Sequence, residues 1–117
     1  MKVLVVDDEE DIRDSLEEFF LDEGFNVASA ADGADALEQL KTGNEPPCVV
    51  ILDLLMPMVS GNEVYESMRQ DPRLSKVPVI VSTSDPSRAP SGPPIMRKPI
   101  NLDQLLHVVR RYCQCPD

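Results

Sequence analysis

Val3-Leu4-Val5-Val6-Asp7-Asp8-Glu9 decides how the chain is read. Four consecutive apolar residues, three of them β-branched, show no polar alternation, as expected of a strand covered on both faces of a parallel sheet. Two acids follow at once, so the carboxyl end of this strand is where charge begins. The same grammar recurs at Val49 to Leu52, which runs into Asp53, and at Val79 to Val81, which leads to Thr83. Between these runs the period changes. Ile12, Leu16, Phe19 and Phe20 share one helical face, with Arg13, Asp14, Glu17 and Glu18 on the other, and Gly24 ends the helix. Phe25-Asn26-Val27 then reads as a shorter, less apolar strand suited to a sheet edge.

A second helix starts near Asp32, carries Leu37 and Leu40 inward, and stops before Thr42-Gly43-Asn44 and Pro46-Pro47. Ser60 with Glu63 has capping-box spacing and opens a third helix, lined by Val64 and Met68 and closed by Asp71-Pro72. Asn101 with Gln104 repeats that spacing before Leu102, Leu105, Leu106, Val109 and Cys113, which recur on one face of a last helix. A short strand lies around Ile95-Met96. The segment from Ser84 to Pro94 holds Pro86, Pro90, Pro93 and Pro94, which forbid an ordinary helix, so a loop or single turn is expected there. Strands alternating with helices through right-handed crossovers predict a doubly wound, five-stranded parallel α/β domain with its fourth helix shortened or absent.

Composition narrows the function. A chain of 117 residues suits one domain, 1–117, and 42% apolar with 27% charged residues is ordinary for a soluble globular protein. No apolar run approaches the roughly 20 residues that span a bilayer, and no basic segment followed by a long apolar one suggests secretion. The formal charge of −10, from 21 acidic and 11 basic side chains, disfavours direct contact with nucleic acid or an anionic membrane. Cys48, Cys113 and Cys115 lack zinc-ligand spacing and His107 is the single histidine, so the cysteines are expected to be reduced cytoplasmic thiols.

In an open parallel sheet, ligands bind beyond the carboxyl ends of the strands. Asp7 and Asp8, Asp53, Thr83 and Lys98 fall at the ends of four different strands and should meet on one rim. Each alone has an ordinary explanation: a helix start favoured by the dipole for Asp7-Asp8, a turn acid for Asp53, a strand end for Thr83, a solvated lysine for Lys98. Together they suggest more. Three close carboxylates repel unless a hard cation with oxygen ligands neutralises them, and magnesium fits. A carboxylate can also act as a nucleophile toward a phosphoryl group when positive charge offsets the negative charge growing on its oxygens. Magnesium, Lys98 and the Thr83 hydroxyl could supply that compensation.

Val3 to Glu9, Asp53-Leu54-Leu55-Met56-Pro57, Gly61, the strand from Pro78 to Thr83 and Lys98-Pro99 together resemble the response-regulator receiver domain of two-component signal transduction systems. The likeness covers nearly the whole chain. It implies a flavodoxin-like (βα)5 fold and a phosphoryl group accepted on Asp53 from a histidine kinase or phosphotransfer protein. It further implies Mg2+ held by Asp7, Asp8, Asp53 and the Leu55 backbone carbonyl, with Thr83 and Lys98 sensing the phosphoryl group. A cis bond between Lys98 and Pro99, a cytoplasmic location, and a downstream protein or fused effector domain are also implied, for a stand-alone domain or one cut from a longer protein. Such a domain is a signalling phosphoacceptor, not an enzyme, beyond catalysing its own phosphorylation and dephosphorylation.

Two departures bear on output. The residue three before the lysine, usually aromatic in the family, is Ile95, and the Pro-rich stretch stands where a full helix is usual. The altered face motivates two expectations: signalling through order and disorder of Ser84 to Pro94, or a static connector there. A degenerate receiver that binds a partner without phosphorylation is the alternative function, though it would have no need of all five polar groups. An aspartate-nucleophile phosphatase would need a second acid two residues after Asp53, where Leu55 stands.

Overall fold

The computed structural model describes residues 2–113. Five parallel strands, β1 (Lys2–Val6), β2 (Asn26–Ala30), β3 (Val49–Asp53), β4 (Val79–Thr83) and β5 (Ile95–Arg97), form one sheet in the order β2-β1-β3-β4-β5. The helices are α1 (Glu10–Asp22), α2 (Gly33–Thr42), α3 (Gly61–Gln70) and α4 (Leu102–Tyr112). Between β4 and β5 the chain makes only a single 3-10 turn, Pro86–Arg88, as the prolines require. The fold is the five-stranded, doubly wound parallel sheet expected from the sequence, with its fourth crossover helix absent.

The unalternating apolar runs are explained by two cores. On one face Val3, Val5, Val49, Ile51 and Ile80 meet Leu16 and Phe20 of α1 and Leu105 and Val109 of α4. On the other, Leu4, Val6, Val50, Leu52 and Val81 meet Ala36 and Leu40 of α2 and Val64 and Met68 of α3. Each fully buried aliphatic side chain here stabilises the fold by about 1.5–3 kcal/mol. β2 is an edge strand, as its weaker pattern foretold.

The helix signals are realised as hydrogen bonds. Asp32, Ser60 and Asn101 accept from the backbone N–H groups of Asp35, Glu63 and Gln104 respectively. Gly24 follows α1 at φ +92°, a left-handed conformation that glycine adopts without steric cost. At the other end of α2, the Arg73 guanidinium donates to the carbonyls of Leu40 and Gly43, satisfying acceptors that the helix leaves open. The peptide bond between Lys98 and Pro99 is cis.

One expectation is corrected. Cys48 and Cys113 are not separate reduced thiols but form a disulfide, with Cα atoms 5.3 Å apart across a sequence separation of 65. The cause is topological: α4 runs back antiparallel to the strands and delivers its C-terminal cap, Cys113, to the residue that precedes β3. Sequence spacing carries no sign of this. Cys115 lies outside the described residues.

Candidate functional site

The parallel strands end together, so the residues at their carboxyl ends become neighbours. Val6 pairs with both Ala30 and Leu52, and Asp53 pairs with Ser82, which aligns Asp7 beside Asp53. Both acids are buried, each with 2% of its surface exposed, while Asp8 is exposed. Carboxylate oxygens of Asp7, Asp8 and Asp53 lie within 4.8 Å of one another. That donor set, three hard oxygens on a half-open rim, fits a magnesium ion.

Lys98 completes the cluster from β5's exit. Its Nζ lies 3.1 Å from Asp7 Oδ2 and 3.4 Å from Asp53 Oδ1. A backbone bond from Lys98 N–H to the Thr83 carbonyl, 2.9 Å, holds the start of this segment against β4. Burial pulls the ammonium's pKa down, but the carboxylates of Asp53 and Asp7 outweigh it, and the net shift is upward. Asp53 is raised as well, which for an acid favours the neutral form. Burial, reinforced by the Asp7 charge, raises it to about 7, despite Lys98 and the Leu55 N–H that donates to Asp53 Oδ1 at 3.3 Å.

Two features place the acids. The Glu9 N–H donates to Asp7 Oδ1 at 2.9 Å, fixing that carboxylate at the entrance of α1. Gly61 N–H donates to the Leu54 carbonyl, and its missing side chain lets α3 approach, since a Cβ there would stand 2.3 Å from the Asp53 carbonyl oxygen. Thr83 is fully buried in β4, next to the Ser82 that pairs with Asp53, but its hydroxyl is engaged elsewhere. Oγ1 accepts from Asp85 N–H at 3.0 Å and also lies 3.4 Å from the Asp85 carbonyl. Asp7, Asp8, Asp53 and Lys98 are therefore brought together, with Thr83 at the rim turned toward the following loop.

Sequence reasoning missed two residues. Arg13, assigned to the solvent face of α1, is half-buried and donates from Nη1 to the Asp7 carbonyl at 2.8 Å. Its position, six residues after Asp7 and one helical turn into α1, was the available signal. Ser82 is buried, and its hydroxyl has no hydrogen-bond partner among the described residues. Nothing in the sequence marks it.

Comparison with known proteins agrees with this geometry. The family model for the response regulator receiver domain matches residues 3–91, and the chain belongs to that family. It is 43% identical over 83 residues to the probable transcriptional regulator ycf27 of Porphyridium aerugineum, covering 71% of this chain and 32% of that protein. With response regulator Rre1 of Synechocystis it shares 32% identity over 121 residues, covering 94% of this chain and 50% of that protein. The chain thus spans from about a third to half of the length of these relatives. Among solved structures, response regulator TrrA of Thermotoga maritima, in complex with Mg(2+)-BeF, superposes with a TM-score of 0.84 at 32% identity over 96% of this chain and 98% of that one. Chemotaxis protein CheY4 of Vibrio cholerae gives 0.83 at 28% identity, over 96% and 98% of the two chains. The chain is a receiver domain of the two-component response regulator type, a signalling module. No helix among the described residues is long and apolar enough to cross a membrane.

Proposed function

We propose that the domain accepts a phosphoryl group on Asp53 from the phosphohistidine of a histidine kinase or phosphotransfer protein. The observation that carries this reading is Lys98 Nζ within 3.4 Å of Asp53 Oδ1 and 3.1 Å of Asp7 Oδ2, beside three clustered acids. An Asp53 oxygen attacks phosphorus, an O–P bond forms, and the P–N bond to the donor imidazole breaks with the electron pair leaving on nitrogen. Lys98, already at the nucleophile, follows the charge onto a phosphoryl oxygen. Thr83 exchanges its Asp85 partner for a second phosphoryl oxygen. Asp7, Asp8, Asp53 and the Leu55 carbonyl would hold Mg2+, which supplies fixed positive charge against the phosphoryl oxygens when bound. Arg13 holds the Asp7 backbone and so orients a metal-binding acid without touching the reacting atoms.

The setting is cytoplasmic, and output passes to a downstream protein or a fused effector domain, in keeping with the length of the relatives and with the name of one, the probable transcriptional regulator ycf27. A phosphorylation-independent binding module is not favoured, because it has no use for a half-buried lysine joined to two buried acids. The test is intact mass after incubation with a small phosphodonor and Mg2+. One added phosphoryl group, absent in Asp53→Asn and in metal-free solution, is expected; no gain by folded native protein overturns the reading.

A further inference from the structure

At the end of the sheet opposite Asp53, the two sulfurs of the Cys48–Cys113 bridge have unequal surroundings. Cys113 is fully buried among the apolar residues that α4 packs on the sheet, including Leu105 and Val109. Cys48 is half-buried and lines a surface cavity of about 730 Å³ with Lys2, Asn26, Asn44, Glu45 and Pro46. An external sulfur can therefore reach Cys48 from the cavity, whereas α4 and the sheet shield Cys113. The lining also includes Lys2, Asn26 and Asn44, whose ammonium and amides suit a small molecule bearing carboxylate and amide groups, beside one acid, Glu45, that suits its amine.

We propose that this bridge is a site of reversible thiol–disulfide exchange with a low-molecular-weight, carboxylate-bearing peptide thiol, attacked at Cys48, with Cys113 as the resolving thiol. The incoming thiolate bonds to Cys48 Sγ while the Cys48–Cys113 bond breaks, and its electron pair leaves on Cys113, which takes up a proton. A second thiol then attacks the small molecule's sulfur, giving its symmetrical disulfide and two protein thiols. In sum, two external thiols are oxidised and one protein disulfide is reduced. The fold holds Cys113 beside Cys48, so reclosure from the mixed disulfide is intramolecular and fast. Once reduced, Cys48 Sγ has the Lys2 carbonyl 3.4 Å away as an acceptor for its S–H. None of this depends on the chemistry of Asp53.

The experiment uses air-oxidised, folded Cys115→Ser protein and reduced glutathione as the probe, with acid quenching, alkylation of free thiols and peptide mapping by mass spectrometry. The unreacted protein should contain no free thiol, and the glutathione adduct should map to Cys48 with Cys113 free. Cys113→Ala, checked for native circular dichroism and loaded with oxidised glutathione, should keep its Cys48 adduct at least about tenfold longer than protein that retains Cys113. Two free thiols in the oxidised folded protein, an adduct on Cys113, or equal adduct lifetimes would each overturn the proposal. The first two readouts need no change at either bridge cysteine.

Discussion

Lys98 Nζ lies 3.1 Å from Asp7 Oδ2, joining the loop after β5 to the end of β1 across the rim of the sheet. The lysine thereby offsets part of the repulsion between Asp7 and Asp53 in the metal-free protein. Lys98→Ala leaves two buried carboxylates facing each other. It is expected to lower stability at about pH 8 by roughly 3–5 kcal/mol, as loss of one partner from a buried pair does. Phosphorylation by a small phosphodonor should slow by about a hundredfold. Urea denaturation and a mass-spectrometric time course read the two effects, and unchanged stability would show that the pair is not coupled in solution.

Asp53, raised to about 7 by burial and then by Asp7, sets a pH dependence. A raised acid binds its proton more tightly in the folded than in the unfolded chain. Between its ordinary value of 3.8 and about 7 the folded state holds the extra proton, so stability falls as pH rises through that window and levels off above it. Asp53→Asn should abolish this slope and stabilise the metal-free protein at about pH 8 by about 1–3 kcal/mol.

With Asp53 among its ligands, as proposed, magnesium would compete with the same proton. Its affinity should rise from about pH 6 to about pH 8, with proton uptake by the buffer on the acidic side of that range. Isothermal titration in two buffers of different ionisation heat measures both quantities. A flat affinity, with no proton released, would place the ion away from Asp53.

Gly61→Ala tests the close approach of α3. The added Cβ would meet the Asp53 carbonyl oxygen at 2.3 Å and Leu54 Cα at 2.7 Å, and neither is a flexible side chain. Backbone must shift, at a cost of about 1–3 kcal/mol. Because the displaced peptide carries Asp53, magnesium affinity should weaken as well. Native affinity in a destabilised variant would mean that helix α3 moves and the acid does not.

Met58, at φ +68° and 97% exposed, has a left-handed backbone and a side chain in solvent. Asn tolerates that conformation better, so Met58→Asn should stabilise the domain by about 0.5–1 kcal/mol. Thermal unfolding checks it, and a lower midpoint would show that the methionine side chain contributes contacts in solution.

The Thr83 hydroxyl accepts the Asp85 N–H at 3.0 Å. Phosphorylation that recruits this hydroxyl should raise hydrogen exchange at the Asp85 amide and in the 3-10 turn that follows. Thr83→Val should show the faster exchange without phosphorylation and no further response. Constant exchange in the native domain would leave Ser84 to Pro94 a static connector.

How much of this was legible follows from the range over which each interaction acts. The strands at Val3, Val49 and Val79, the caps at Asp32, Ser60 and Asn101, and the break imposed by Pro86 to Pro94 depend on neighbours a few residues away. Residue order alone therefore determined them. The rim residues Asp7, Asp8, Asp53 and Lys98 were legible for a related reason: parallel strands end side by side, so position at a strand end predicts proximity. Only the tertiary structure decided the rest. Arg13 is half-buried because α1 turns it back to the Asp7 carbonyl, and Thr83 faces Asp85 because the chain turns there and brings the Asp85 N–H onto its hydroxyl. Cys48 met Cys113 because α4 returns along the full length of the sheet, a closure over 65 residues that no local pattern encodes. Burial, which lifts Asp53 to about 7, likewise exists only once both cores have closed around the sheet.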